Sequence, residues 1–176
     1  VARALDVPDA AIRDALGGFS GIGRRFQQLG ALTLSDGGEA LLMDDYAHHP
    51  REIEAVTEAL RANWPDRRLV VVFQPHRYSR TRDLFEDFAR VLGEADVLVV
   101  TEVYGAGEAP ISGADARSLC RAIRLRGQTD PIFVAGLDEL MDLLPGILRS
   151  DDVVITLGAG SIGGALPRLL AEEGAS

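Results

Sequence analysis

A chain of 176 residues, 47% of them hydrophobic, is long enough to close one substantial core with a short piece to spare; at this size roughly 70% of the unfolded surface is buried on folding, so neither disulfide nor metal is required. The formal net charge of −9 argues against nucleic acid or an anionic membrane as the main partner, because both reward a basic face. One cysteine, Cys120, excludes an internal disulfide framework and fits a reducing compartment; with no signal-peptide pattern and no apolar run near the roughly 18 residues that cross a bilayer, the expected location is the cytoplasm.

The first stretch reads as helix, short loop, helix. Pro8-Asp9 opens the second helix with Asp9 as its cap, and Gly17-Gly18 ends it. The chain starts at Val1 inside this helical pattern, which points to a piece of something longer whose preceding domain owns these helices. Two strand-like runs follow, Phe26 to Leu34 and Ala40 to Met43, joined across Ser35-Asp36-Gly37-Gly38, and Asp-Gly between such runs signals a hairpin. From there the pattern alternates. The runs Leu69 to Phe73, Val97 to Val100, Ile132 to Ala135 and Val153 to Leu157 are apolar on both faces. Between and after them lie helical stripes: Ile53, Val56, Leu60 and Trp64; Leu84, Phe88, Val91 and Leu92; Ile162, Ala165, Leu166 and Leu169. Cys120 shares such a face with Ala116, Leu119 and Ile123, which assigns it to packing. Doubly apolar strands separated by amphipathic helices predict an α/β fold, a doubly wound, Rossmann-like, mostly parallel sheet with an N-terminal β-hairpin.

Open parallel sheets bind ligands beyond the carboxyl ends of their strands, and the chemistry of this chain collects there. All three histidines follow the first two parallel strands, in Asp44-Asp45-Tyr46-Ala47-His48-His49-Pro50 and in Phe73-Gln74-Pro75-His76-Arg77-Tyr78-Ser79-Arg80-Thr81-Arg82. Pro50 is also an ordinary first helical residue with His49 before it, and the arginines could be a solvated helix start, although cations there oppose the macrodipole. Arg77 and Arg80, three apart on a first helical turn, point to neighbouring positions, and paired guanidinium forks suit carboxylates and phosphates. A metal held by Asp45, His48 and His49 is the rival reading; adjacent histidines rarely face one point and nearby arginines repel a cation, so no metal is assigned. Gly158-Ala159-Gly160-Ser161-Ile162-Gly163 matches the dinucleotide-turn spacing, yet no strand and no acidic residue about 20 positions on follows it, so tight packing of the closing helix explains it at least as well. Gly21-Ile22-Gly23-Arg24-Arg25-Phe26 reads on its own as a flexible linker.

Taken in order, Phe19 to Phe26, Asp44 to Pro50 and Phe73 to Arg82, with Glu102 to Ile111 and the turn at Gly158, closely resemble the Mur ligases of peptidoglycan synthesis, within them the branch that joins L-alanine to UDP-N-acetylmuramate. The resemblance covers nearly the whole chain. It implies that residues 1–24 are the end of a central ATPase domain with its linker and that residues 25–176 are the C-terminal, amino-acid-binding domain. It implies a two-step reaction, in which the muramate carboxylate becomes an acyl phosphate at the expense of ATP and the amine of L-alanine then displaces phosphate. ATP and Mg2+ would be held mainly by domains absent from this chain, which has no Gly-Lys-Thr phosphate loop and is therefore expected to be inactive alone. Carried over by position, Arg25 reaches the ATP phosphates on domain closure and Asp45 serves the nucleotide side of the cleft. Tyr46 and His48 line the alanine pocket, Arg77 and Arg80 clamp the alanine carboxylate, and His49 and His76 support them. A small pocket is needed, because one methylene separates alanine from its competitors by only about 1–3 kcal/mol; the glycines from Gly21 to Arg25 become a hinge. The alternatives are a murein-peptide recycling ligase, which attaches a whole peptide to the same UDP-sugar, and a non-catalytic nucleotide-binding α/β module.

Overall fold

The computed structural model describes residues 2–18 and 22–173. A short 3-10 turn, Ala2–Leu5, precedes α1, Asp9–Gly17, neither of which has a buried residue. The expected cap at Asp9 is not made: Pro8 is the residue before the helix, and Asp9 is already helical. Its carboxylate instead accepts two bonds from the Arg3 guanidinium, at 3.0 and 3.1 Å.

The rest is one six-stranded sheet. Its strands are β1 (Gln27–Thr33), β2 (Glu39–Asp45), β3 (Leu69–Phe73), β4 (Val97–Thr101), β5 (Ile132–Val134) and β6 (Val153–Leu157), in spatial order β1-β2-β6-β3-β4-β5. β1 pairs antiparallel with β2, and every other pairing is parallel. The helices between are α2 (Pro50–Asn63), α3 (Tyr78–Asp83), α4 (Phe85–Leu92), α5 (Ala116–Arg126), α6 (Leu137–Ile147) and α7 (Ala165–Glu173), the last preceded by a 3-10 turn, Ser161–Gly164. The hairpin turn closes as Asp36-Gly37 predicts, with Gly37 at φ 83° and the Leu34 N–H donating to the Gly38 carbonyl at 2.8 Å.

Strand period two sorts the apolar residues onto both faces. Leu69, Val71 and Phe73 enter one core with Ile53, Leu60, Phe88, Val91, Leu119 and Ile123 from α2, α4 and α5. Val70 and Val72 enter the other, with Leu140 and Leu144 of α6 and Leu166 and Leu169 of α7. Cys120 is buried in the first core, and burial pushes its thiol up to about 11, as packing rather than nucleophilic chemistry requires. Both faces being covered, the sheet can expose chemistry only along its ends. Among the described residues no helix is long and apolar enough to cross a membrane.

Candidate active site

At the carboxyl end of β2, two adjacent aspartates are buried, Asp44 at 1% and Asp45 at 4% exposure. Asp44 accepts from Arg24 Nε at 2.8 Å and from the Thr156 hydroxyl at 2.6 Å. Arg24 also donates to the carbonyls of Gly158 and Gly160. An alanine Cβ at Gly163 would fall on that guanidinium, so the glycine run at the end of β6 is shaped around an arginine of this chain. Asp45 uses both oxygens on backbone: Oδ2 accepts from Phe26 N–H at 2.6 Å and Oδ1 from Ala47 N–H at 2.7 Å. These bonds hold Arg24 and Phe26 at positive φ, 58° and 45°, a conformation that side chains otherwise resist.

Two arginines adjacent in sequence thus divide their work. Arg24, which sequence reasoning gave no role, is pinned to the sheet, whereas Arg25 is exposed and lies 5.7 Å from the Tyr46 ring centroid. The expected hinge begins at Gly21, which lies outside the described residues, as do Phe19 and Ser20 of the same motif.

Beyond Asp45 the chain turns into α2. His49 is its N-cap: Nδ1 accepts from Arg51 N–H at 3.3 Å, and Glu52 reaches back to the backbone N–H groups of His48 and His49. Burial pushes the Glu52 carboxyl up, but those two N–H donors and the charges of His48 and Arg25 outweigh it and leave the pKa below its usual value. His49 therefore has the structural role its place before Pro50 allows. His48 turns its Nδ1 to the Tyr46 carbonyl at 3.0 Å. A carbonyl only accepts, so Nδ1 carries a proton.

The end of β3 supplies the second half. His76 meets His48 edge-on at 5.9 Å and stacks on Tyr104 at 5.6 Å with 12° between the planes. Arg80 Nη1 donates to the His76 carbonyl at 2.9 Å and lies 3.2 Å from His76 Nδ1. A guanidinium has no acceptor, so this ring nitrogen accepts and the imidazole is neutral. Burial, then the charges of Arg80, His48 and Arg77, holds the His76 pKa below its usual value, which agrees. Arg77 sits at φ 73° with a half-exposed side chain whose Nη1 is 3.9 Å from Glu108 Oε1. Arg80 touches the His76 ring, and the positive charge of Arg77 also weighs on it.

Tyr46, His48, His76 and Tyr104 thus form a row of rings across the ends of β2, β3 and β4, with the two arginines beside it. Tyr46 and Tyr104 are exposed at 37% and 43%, so the row is an open shelf. Hollows of about 520 Å³ and 570 Å³ lie elsewhere, one lined by Gly37, Trp64 and Arg67 at the hairpin, the other by His49, Leu84 and Arg90 between α2 and α4. Tyr104 and Glu108 were missed as site residues: they follow β4, and only the parallel order β3-β4 brings them to the shelf. The third strand end was the signal that could have found them.

A doubly wound domain with arginines and histidines on its strand ends matches a known class. Residues 24–160 match the family described as Mur ligase, glutamate ligase domain, and the chain belongs to that family. Over 164 residues it is 64% identical to a UDP-N-acetylmuramate–L-alanine ligase of Halorhodospira halophila, a match covering 93% of this chain and 34% of that protein. The ligase of the same name from Methylococcus capsulatus is 62% identical over 163 residues, again 93% of this chain and 34% of the relative. The crystal structure of UDP-N-acetylmuramate-alanine ligase from Thermotoga maritima superposes with a TM-score of 0.73 at 27% identity, over 99% of this chain and 35% of the other. The chain spans about a third of the length of the curated relatives it matches.

Proposed function

We propose that this chain is the amino-acid-binding part of a cytoplasmic, ATP-dependent ligase that joins L-alanine to UDP-N-acetylmuramate in peptidoglycan synthesis. The observation that carries the reading is identity above 60% to two curated L-alanine-adding ligases along 93% of the chain.

In this reading Arg77 and Arg80 hold the alanine carboxylate beside the row of rings from Tyr46 to Tyr104. When its ring is neutral, His48 has its lone pair on Nε2 and can accept a hydrogen bond from the amine. Arg25, exposed and next to Tyr46, is the residue of this chain suited to a phosphate when the domain closes. Asp45 serves the nucleotide side by fixing the linker: its grip on the Phe26 N–H sets where Arg25 can point. ATP supplies the phosphoryl group that turns the muramate carboxylate into an electrophile. Among the described residues no three His, Cys, Asp or Glu converge as a metal-ligand set, and both rim aspartates already hold N–H donors. In this reading Mg2+ is held by residues outside this chain.

The test is a choice of substrates. Given UDP-N-acetylmuramate and ATP, the full-length protein is expected to release phosphate with L-alanine, less with glycine or L-serine, and little with the tripeptide that a recycling ligase would take. Preference for the tripeptide would overturn the assignment.

A further inference from the structure

One carboxylate beside the clamp has no part in this account. Glu108 lies in the loop between β4 and α5, and its Oε2 and Oε1 accept from the Ser79 N–H at 2.9 Å and the Ser79 hydroxyl at 2.7 Å. The same Oε1 is 3.9 Å from Arg77 Nη1.

The need for it is local. The residue at the start of α3 is Arg77, whose side chain makes no cap, so the first-turn amides lack an acceptor from their own segment. Arg77 also holds φ 73° and ψ 131°, a region that side chains populate only when their surroundings impose it. The β4–α5 loop imposes it. The Arg77 N–H donates to the Tyr104 carbonyl at 2.9 Å, and the Tyr104 N–H donates to the Pro75 carbonyl at 2.8 Å. The loop is itself a closed turn, with the Glu108 N–H on the Gly105 carbonyl at 3.0 Å and Ala106 and Gly107 at positive φ. An alanine Cβ at Gly105 would press on the Tyr78 ring, so the loop seats directly against α3. Backbone bonds fix the main chain of Arg77; among the described residues only Glu108 reaches both the first turn of α3 and the Arg77 guanidinium.

We propose that Glu108 is the positioning residue of the carboxylate clamp, holding the start of α3 and the Arg77 side chain in the orientation that grips the amino acid's carboxylate. The inference rests on the reading that Arg77 and Arg80 bind that carboxylate. A carboxylate suits the task better than an amide, because its bonds to the two Ser79 donors are charge-assisted and its charge faces the Arg77 guanidinium at 3.9 Å. Glu108 stays ionised: the Ser79 N–H and hydroxyl hold its pKa below the usual value.

The experiment uses the full-length protein with Arg77→Ala, Glu108→Ala, Glu108→Gln and the double variant Arg77→Ala/Glu108→Ala, and measures kcat and KM for L-alanine and for ATP. Glu108→Ala is expected to raise the KM for alanine about 10-fold and that for ATP less than about twofold, and Glu108→Gln to fall between it and the parent. Acting through Arg77, Glu108→Ala should add less than about twofold in the Arg77→Ala background, a non-additivity that a merely structural role would not give. Glu108→Gln keeps an oxygen for Ser79, and a parent-like melting temperature for it separates a lost clamp from a lost fold. Full additivity, or equal losses for alanine and ATP, overturns the inference while leaving the clamp standing. An Arg77→Ala variant with the parent's KM for alanine removes the clamp itself, and this proposal with it.

Discussion

Replacing Arg24 by alanine tests whether the junction is held as the structure describes. The side chain donates to Asp44 at 2.8 Å and to two carbonyls of the glycine turn, and Asp44 is 1% exposed with only the Thr156 hydroxyl as its other side-chain donor. Removing one partner of a buried ion pair costs roughly 3–5 kcal/mol, because the other charge is left without compensation. The Arg24 side chain is 28% exposed. Water can therefore follow into the vacated space, which brings the expected loss to about 2–3 kcal/mol. For a chain of this size that corresponds to a fall of about 4–12 °C in the melting temperature. Asp44→Asn keeps an oxygen for Thr156 and removes the stranded charge, so Arg24→Ala/Asp44→Asn should recover more than half of the loss. The assay is thermal melting of the single and double variants followed by circular dichroism. A single-variant loss below about 0.5 kcal/mol, or a double variant that loses the sum of both changes, would refute the reasoning.

Gly158→Ala should lower stability by more than about 2 kcal/mol, since φ is strained for any side chain there and the new Cβ would stand 2.8 Å from the Gln74 carbonyl; an unchanged melting curve would contradict the contact. Arg77→Gly should gain about 1 kcal/mol by relieving the strained backbone, while the full-length protein loses its use of alanine; lower stability would show that φ is not the cost it is taken for. His76 gives a pH dependence. Its folded pKa lies below the ordinary 6.5, through burial first and the charges of Arg80, His48 and Arg77 next, so the unfolded chain takes up the proton first. Stability should be full above about pH 6.5 and decline as pH falls through the lowered folded value; His76→Gln should flatten that decline, and no difference from the parent would contradict it.

The fold was legible in the sequence where burial is two-sided. β3 and β6 coincide with the expected runs because Leu69 to Phe73 is wholly apolar and Val153 to Leu157 keeps its one polar residue, Thr156, inside apolar ends. β2 runs two residues beyond the expected Met43, because Asp44 and Asp45 are buried polar residues and hydropathy reads them as loop. Asp9 was misread as a cap, since composition alone does not show whether a residue is the last before a helix or the first within it. In the site, clustering on strand ends brought forward Tyr46, His48, Arg77 and Arg80, and the lone pattern His49-Pro50 already contained the capping role. The resemblance singled out Arg25, whereas the role of Arg24 was not legible, because the Gly158 and Gly160 carbonyls that hold it with Asp44 lie more than a hundred residues on. Glu108 was hidden for the same reason: 29 residues separate it from the Ser79 it holds.

The central claim, that Arg80 with Arg77 binds the carboxylate of the amino acid, meets its most direct test in the steady-state kinetics of Arg80→Ala in the full-length protein. A charge-assisted bond of this kind is worth about 1.5–3 kcal/mol, so the KM for L-alanine should rise roughly 10- to 150-fold while that for ATP changes little. Equal loss for both substrates, or an unchanged requirement for alanine, would contradict the account.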